Sequence, residues 1–306
     1  MIEARDLTKD YGEKRAVDGL SFTVRPGIVT GFLGPNGSGK STTMRLILGL
    51  DAPTRGDVTV NDRHYADLAA PLHEVGALLE ARSVHTGRSA YNHLLGLAQT
   101  HGIPKRRVSD LIDLVGLHEA ARKRTGQFSL GMGQRLGIAA ALLGDPKTVM
   151  LDEPVNGLDP EGIHWMRNLL KGLAAEGRTV FVSSHLMSEM ALTADHLIVI
   201  GRGKLIADTS VDDFVARASQ KAVLVRSPEL GRLRTELAGP GVSFVAADRG
   251  ALEVHGLTTE QVGEAAAVGG IALHELTPLQ ASLEEAFMNL TRDELEFATE
   301  LEEAVA

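Results

Sequence analysis

The sequence predicts an α/β protein built on a mainly parallel sheet. Short, fully apolar runs alternate with helical patterns up to about residue 215. Such runs are typical of strands buried on both faces, and strand–helix alternation is typical of a parallel sheet covered by helices. The predicted buried strands are Ile28–Leu33, Thr148–Leu151, Thr179–Ser183 and His196–Ile200.

Other patterns place further elements around this sheet. Residues 1–25 and Asp57–Asn61 alternate between apolar and polar positions, which predicts half-exposed antiparallel strands. Residues 83–145 show mostly helical periodicity and no strand signal, so we expect a helical insertion there. Helices of the sheet region are expected to begin after Gly39, near Leu136 and near Pro160.

A second, smaller domain is predicted for residues 219–306, after a first domain of residues 1–218. Its elements follow the order β-α-β-β-α-β, which predicts a ferredoxin-like α+β fold. Leu283, Phe287 and Leu290 then fall on one face of a final helix, which an acidic tail follows. The predicted strands are Ala222–Arg226, Val242–Ala246, Leu252–Val254 and Ile271–Leu276, and the helices are Glu229–Leu237 and Thr259–Ala267.

Composition limits the possible functions. The absence of cysteine excludes a disulfide framework, a thiolate metal site and a cysteine nucleophile. The longest apolar stretch, Leu136–Gly144, is far shorter than a membrane-spanning helix, and Met1–Tyr11 has no signal-peptide pattern. A membrane role would therefore need another chain to cross the bilayer. The net charge of −9 lies mostly at the C-terminus and argues against a nucleic-acid partner.

The strongest local motif is a phosphate-binding loop between a predicted strand and a predicted helix. It has the GxxxxGK[ST] pattern, in which glycines let backbone N–H groups contact phosphate oxygens. Lys40 can reach the β- and γ-phosphates, and the Ser41 hydroxyl can bind Mg²⁺. By itself the motif predicts only a nucleotide site, which kinases, GTPases and ATPases share. The candidate nucleotide-binding residues are Gly34, Pro35, Asn36, Gly37, Ser38, Gly39, Lys40, Ser41 and Thr42.

Two carboxylates follow the apolar strand Thr148–Leu151. Asp152 at the strand end suits a contact to Mg²⁺, and Glu153 is then placed to polarise an attacking water. Alone, this pattern is more often a solvated acidic turn. Its pairing with the phosphate-binding loop favours the catalytic interpretation.

Three further motifs make the chain resemble ABC ATPases. Phe128–Arg135, with the sequence FSLGMGQR, is similar to the family's signature sequence, and Asn156–Asp159 is similar to its D-loop. Ser183–His185 resembles the segment that carries its switch histidine. Order and spacing match over about residues 1–215. The resemblance implies a P-loop NTPase core of the ABC-ATPase type, with a parallel sheet, an antiparallel β subdomain and a helical insertion.

The resemblance also implies roles for single residues in a head-to-tail dimer that holds ATP between two copies. Ser129 and Gly131 would contact the γ-phosphate bound by the other copy, and Asp159 would contact the nucleotide. His185 would hold the γ-phosphate and the attacking water. Tyr11 would stack on the adenine, whereas the alternative is a tyrosine that merely ends a strand.

The sequence departs from the family pattern at three positions. Leu130 replaces the first glycine of the signature, and Met132 replaces its glutamine. Val75–Glu80 aligns with the Q-loop but ends in Glu80, a carboxylate that can still bind Mg²⁺. A glutamate there resembles the branch that exports lantibiotics and similar antimicrobial peptides.

These features predict a Mg²⁺-dependent ATPase subunit, cytoplasmic and peripheral on the inner face of the membrane, that powers export through a separate permease. The partners would be that permease and a second copy of the chain or a related ATPase subunit. Three alternatives stay open: a translation or DNA-repair ATPase, a P-loop kinase or metabolic NTPase, and a structural or sensor module that binds ATP without hydrolysis. The C-terminal domain would regulate or stabilise the dimer, or would be a passive packing appendage.

Overall fold

The chain divides into two compact units, Met1–Val211 and Asp212–Ala306. The computed structural model describes residues 1–80, 84–218, 222–279, 283–285 and 287–288. Within these ranges, no helix is both long enough and apolar enough to cross a membrane. The predicted division between residues 218 and 219 stays a prediction.

The first unit combines two sheets with helices. Its strands are β1 Ile2–Tyr11, β2 Lys14–Val24, β3 Val29–Leu33, β4 Arg55–Val60, β5 Val75–Leu78, β6 Thr148–Leu151, β7 Thr179–Ser184, β8 His196–Gly201 and β9 Lys204–Ser210. Its helices are α1 Lys40–Ile47, α2 Pro71–Glu74, α3 Ala90–Thr100, α4 Lys105–Leu114, α5 Leu130–Ala141, α6 Pro160–Ala175 and α7 Met187–Thr193.

The larger sheet has six strands in the order β5-β6-β7-β3-β8-β9. Its neighbours run parallel except β8 and β9, which are antiparallel. All residues of β3, β6 and β7 are buried, as expected where helices cover both faces. The predicted parallel sheet is thus confirmed. Strands β5 and β9 lie outside the predicted set, because β5 is short and contains Gly76 while β9 is largely exposed.

The smaller sheet is antiparallel, with the order β2-β1-β4, which confirms the predicted half-exposed strands. It packs on the larger sheet through three phenylalanine rings. Phe32 and Phe181 lie 5.0 Å apart between centroids, and Phe22 of β2 lies 6.0 Å from each. Aromatic pairs at such distances contribute about 0.5–1.5 kcal/mol beyond their buried area. This cluster fixes one sheet against the other, and Phe32 lies two residues before Gly34, where the glycine-rich loop begins.

The helical insertion contains α3, α4 and α5, and its described residues include no strand. Its core includes Leu94, Leu111 and Leu136, all fully buried. Helix α5 begins at Leu130, earlier than the predicted start near Leu136. The reason is the N-cap, because the Ser129 hydroxyl accepts a hydrogen bond from Met132 N at 3.2 Å. The predicted first residue of the insertion, Ser83, lies outside the described residues.

The second unit follows the predicted β-α-β-β-α-β order after a preceding helix. Its four strands form an antiparallel sheet in the order β11-β12-β10-β13. Buried side chains of α9, α10 and the two strands β10 and β12 form its core, which includes Val225, Leu233, Val254 and Val262. The ferredoxin-like assignment stays a prediction. The elements are α8 Val211–Ala218, β10 Ala222–Arg226, α9 Leu230–Leu237, β11 Ser243–Ala247, β12 Ala251–His255, α10 Thr259–Val268 and β13 Glu275–Leu279.

The last strand of the second unit does not start where the sequence predicts. The predicted strand Ile271–Leu276 is wrong in its first four residues, since β13 begins at Glu275. Ile271 N instead donates to Ala266 O at 2.9 Å and closes the end of α10, with the buried Ile271 side chain below it. In the predicted final helix, Leu283 and Phe287 are helical and buried. Leu290 and the acidic tail lie outside the described residues.

Candidate functional site

The glycine-rich loop connects β3 to α1, and its path requires glycine. Gly37 and Gly39 have φ angles of 80° and 106°, a region that L side chains rarely adopt. A Cβ on Gly39 would lie 2.5 Å from Ala16 O, and one on Gly34 would lie 2.4 Å from Ile200 O. Backbone N–H groups can therefore line the inside of this turn only because these positions carry no side chain.

The Lys40 ammonium lies inside this loop. Its Nζ donates to Gly34 O at 2.6 Å and to Pro35 O at 3.3 Å. Burial lowers the pKa of Lys40, while the charges of Glu153 and Asp152 act in the opposite direction. Because carbonyl acceptors are neutral, phosphate oxygens would be stronger partners for this cation. The loop therefore holds a buried positive charge whose partners are two backbone carbonyls.

The remaining predicted loop residues lie in the same turn. Ser38 N donates to Pro35 O at 3.2 Å, which closes the turn. Asn36 is exposed at its tip, Thr42 is half-buried in the first turn of α1, and Ser38 is buried. Among the described residues, the Ser38 hydroxyl has no hydrogen-bond partner. The structure thus brings all nine predicted loop residues to the end of β3, and their nucleotide contacts stay a prediction.

Asp152 connects three strands and the loop. It follows β6, and its carboxylate accepts hydrogen bonds from the Ser41 hydroxyl at 2.7 Å and from the Ser183 hydroxyl. Ser41 belongs to the first turn of α1, after β3, and Ser183 belongs to β7, which lies between β3 and β6. The sheet order therefore brings the predicted metal-binding hydroxyl and carboxylate into direct contact.

The oxygen donors Ser41 and Asp152 fit Mg²⁺. A hydroxyl and a carboxylate are hard oxygen ligands, and Mg²⁺ is commonly held by one or two protein carboxylates together with substrate phosphates. Among the described residues, no group of three or more His, Asp or Glu side chains could hold a metal without such help. This arrangement suits a metal that arrives with a nucleotide.

Glu153 and His185 form the second pair of the site. His185 Nδ1 lies 2.8 Å from Glu153 Oε2, which places the predicted base and the predicted switch histidine in hydrogen-bond contact. The Glu153 backbone has φ of 50°, and its N–H donates to the Ser183 hydroxyl at 2.9 Å. Non-glycine residues in this conformation often mark functional sites, where neighbouring contacts enforce it.

The signature residues form the N-terminus of α5. Ser129 caps the helix, and Leu130 beside it is 44% exposed. A Cβ on Gly131 would lie 2.8 Å from Gly157 O, and one on Gly157 would lie 2.4 Å from the Leu130 side chain. The start of α5 therefore packs closely on the loop after Glu153. Its helix N-terminus can attract an anion.

Asp159 and Glu80 lie in segments that follow strands of the site. Asp159 is the N-cap of α6, where its Oδ1 accepts from Gly162 N at 2.9 Å. Glu80 is exposed two residues beyond β5, the neighbour of β6. Asp152 N donates to Leu78 O at 2.8 Å. The segment after β5, with Glu80, and the segment after β6, with Asp152, therefore leave the sheet at the same end. The proposed contacts of Asp159 with nucleotide and of Glu80 with metal stay predictions.

Tyr11 ends β1 and is held by its hydroxyl. The hydroxyl donates to Asp51 Oδ2 at 2.8 Å, and Arg45 Nε donates to the same oxygen at 2.7 Å. These two donors lower the pKa of Asp51 to about 2, with the Arg45 contact the larger cause. Lys9 Nζ lies 4.9 Å from the ring centroid. Tyr11 is 47% exposed, so the residue remains accessible to a planar base.

Two further residues of the site lie outside the predicted set. Ser183 joins Asp152 to Glu153, and Gln134 Nε2 donates to Glu153 O at 3.0 Å. Both belong to motifs that the sequence already marks, but their pattern gives no sign that they contact the acidic turn. A buried polar residue in an otherwise apolar strand or helix was the available signal, because such groups require a partner.

Comparisons with known proteins agree with this geometry. A family model described as "ABC transporter" matches residues 17–156. A second model, described as a domain of unknown function (DUF8746), matches residues 221–284. The first match contains the glycine-rich loop, the signature and both acidic residues after β6.

Individual relatives extend the similarity beyond the family model. The bacitracin transport ATP-binding protein BcrA of Bacillus licheniformis is 41% identical over 220 residues, 71% of this chain and 72% of the relative. The lantibiotic transport ATP-binding protein SrtF of Streptococcus pyogenes is 35% identical, over 69% of this chain and 92% of its own length. A solved dimer of the ATP-binding cassette MJ0796, in a post-hydrolysis state bound to ADP and Pi, superposes with a TM-score of 0.63. It is 25% identical and covers 69% of this chain and 99% of the cassette.

Proposed function

The chain belongs to the family of ABC transporter ATP-binding proteins, and from that premise we propose that it powers export through a separate membrane permease. It binds ATP and hydrolyses it to ADP and phosphate. The proposed cargo class is an antimicrobial peptide or a similar drug, because relatives carry the names bacitracin and lantibiotic transport ATP-binding protein. The carboxylate at Glu80 agrees with this branch.

One observation carries the proposal. The carboxyl ends of β3, β6 and β7 bring a phosphate loop, a metal-binding pair and a base–histidine pair to one edge of the sheet. In open parallel sheets, ligands bind at this edge. Separate groups are thus available for binding the phosphates, for holding the metal and for orienting the attacking water.

In the proposed reaction, the loop N–H groups and Lys40 bind the phosphates of ATP. Mg²⁺, held by Ser41 and Asp152, would neutralise phosphate charge. Glu153 accepts a hydrogen bond from the attacking water and polarises it. General-base catalysis of this kind contributes a factor of about 10²–10⁴ to the rate. His185 holds Glu153 Oε2 on one side and can orient the γ-phosphate with its other ring nitrogen.

We further propose that two copies of the chain, or one copy and a related ATPase subunit, enclose ATP head to tail. Ser129 and Gly131 of one copy would then meet the γ-phosphate bound by the other. The exposed N-terminus of α5 supports this arrangement, since the dipole of a helix favours an anion at its N-terminus. The solved cassette that resembles this chain is dimeric.

The proposed location follows from the proposed partner. A permease must lie in the membrane, so the chain would be cytoplasmic and peripheral on its inner face. Residues 1–218 would form the ATPase domain and residues 219–306 an accessory domain that regulates or stabilises the dimer. No nucleic-acid partner is proposed.

The test begins with phosphate release by the purified chain, with and without Mg²⁺. We expect hydrolysis only with Mg²⁺, and ATP-dependent dimerisation of the Glu153→Gln variant on a sizing column. Absence of Mg²⁺-dependent ATP affinity would refute the proposal. Sedimentation of the chain with membranes supports the transport role, whereas co-purification with ribosomes would favour a translation ATPase.

A further inference from the structure

The backbone of Glu153 is held in its unusual conformation from both sides. Its N–H is fixed by Ser183, as described above, and its carbonyl oxygen accepts from Gln134 Nε2 at 3.0 Å and from Asn156 N at 3.2 Å. A φ of 50° is uncommon for a residue with a side chain and persists only where contacts enforce it. The direction of the Glu153 carboxylate therefore depends on these contacts.

Gln134 is an unexpected residue at its position. It lies in α5, is 3% exposed, and has the apolar Leu136 and Ile138 close behind it in the same helix. A buried amide without a partner costs free energy, and the hydrogen bond to Glu153 O offsets that cost for Gln134. The contact spans 19 residues of sequence and joins a helix to a loop.

The same helix carries the signature at its start. Ser129 is the N-cap, and Leu130 and Gly131 pack on Gly157, four residues after Glu153. Helix α5 thus contacts the catalytic loop at both ends of the segment 153–157. A rigid helix rises about 1.5 Å per residue, so Gln134 and Ser129 lie within two turns of each other and move together.

We propose that Gln134 is a positioning residue that aims the Glu153 carboxylate and couples it to the signature helix. The proposal rests on the proposed role of Glu153 as general base. In the proposed dimer, Ser129 meets the ATP of the other copy while Glu153 acts on the ATP of its own. The hydrogen bond from Gln134 to Glu153 O then transmits the presence of ATP at one nucleotide site to the general base of the other site.

The test uses the full chain with Gln134→Leu, which keeps the volume and removes the donor, and Gln134→Glu, which keeps the shape. We expect both variants to lower kcat by roughly 10- to 100-fold, because a displacement of about 1 Å can cost about 10² in rate. For Gln134→Leu we expect KM for ATP and the melting temperature to stay near those of the wild type, whereas Gln134→Glu buries a carboxylate and should also lower the melting temperature. In the Glu153→Gln background, Gln134→Leu should add little further loss. An unchanged kcat, or losses that multiply fully in the double variant, would overturn the proposal.

Hydrogen exchange provides a readout that does not require hydrolysis. Gln134→Leu should accelerate exchange of the Asn156 amide, which shares the Glu153 carbonyl, and leave the amides of α1 unchanged. If the wild-type chain hydrolyses no ATP, the proposed function fails, and the exchange result still decides the role of Gln134. Equal exchange at Asn156 in both proteins would refute it.

Discussion

Replacement of Ser183 by alanine tests the structural basis of the acidic turn. The Ser183 side chain is fully buried, donates to the Asp152 carboxylate and accepts from Glu153 N at 2.9 Å. A hydrogen bond to a charged group contributes about 1.5–3 kcal/mol, and a buried donor left unpaired costs about 1–3 kcal/mol. Water can take the place of the hydroxyl for part of these hydrogen bonds, so we expect the free energy of unfolding to fall by about 2–4 kcal/mol.

The neighbouring serine gives a matched control. Ser184 is equally buried, and its hydroxyl accepts one hydrogen bond, from Leu186 N at 2.9 Å. Ser184→Ala should therefore cost about 1 kcal/mol. For a unit of this size, each kcal/mol lowers the melting temperature by about 2–4 °C, so Ser183→Ala should melt at least about 4 °C below the wild type.

Activity separates the two variants further. Because Ser183 anchors the N–H of Glu153, its loss should lower kcat about tenfold or more, whereas Ser184→Ala should retain most of the wild-type kcat. Calorimetry and phosphate release measure both effects on the same preparations. If Ser183→Ala melts no lower than Ser184→Ala and keeps a kcat within about twofold of the wild type, the proposed support of Glu153 is incorrect.

Three further substitutions test other parts of the site. Glu153→Gln should bind ATP and lose about 10²–10⁴ of the turnover, measured as phosphate release; undiminished turnover would exclude Glu153 as the base. Tyr11→Ala should weaken ATP binding by about 1–3 kcal/mol in titration calorimetry, while Tyr11→Phe should retain the wild-type affinity. Equal affinities of wild type and Tyr11→Ala would show that the ring does not stack on the base. Burial lowers the pKa of Lys40, so between that lowered pKa and the ordinary value of 10.5 the unfolded chain binds more protons at Lys40 than the folded chain does. Stability should therefore rise with alkaline pH in urea melts, and Lys40→Met should lack this slope.

Much of the fold follows from local patterns. The apolar runs at Thr148–Leu151 and His196–Ile200 predict buried strands because both faces of these strands are covered. The glycine pattern before Lys40 predicts a phosphate loop because few other sequences allow the required φ angles. Errors arise where tertiary contacts override the pattern, as at Ile271, which packs under the end of α10 instead of entering β13.

By itself, the sequence determined the chemical groups of the site: the glycine loop, its lysine, two carboxylates and a histidine, each next to a strand end. Only the tertiary structure decided how the base is held. Ser183 and Gln134 reach Glu153 across 30 and 19 residues of chain. Such contacts depend on which strands and helices become neighbours, and periodicity along the chain carries no information about that order. A hydrogen bond also requires the correct distance and angle, which only the packed sheet and helices impose.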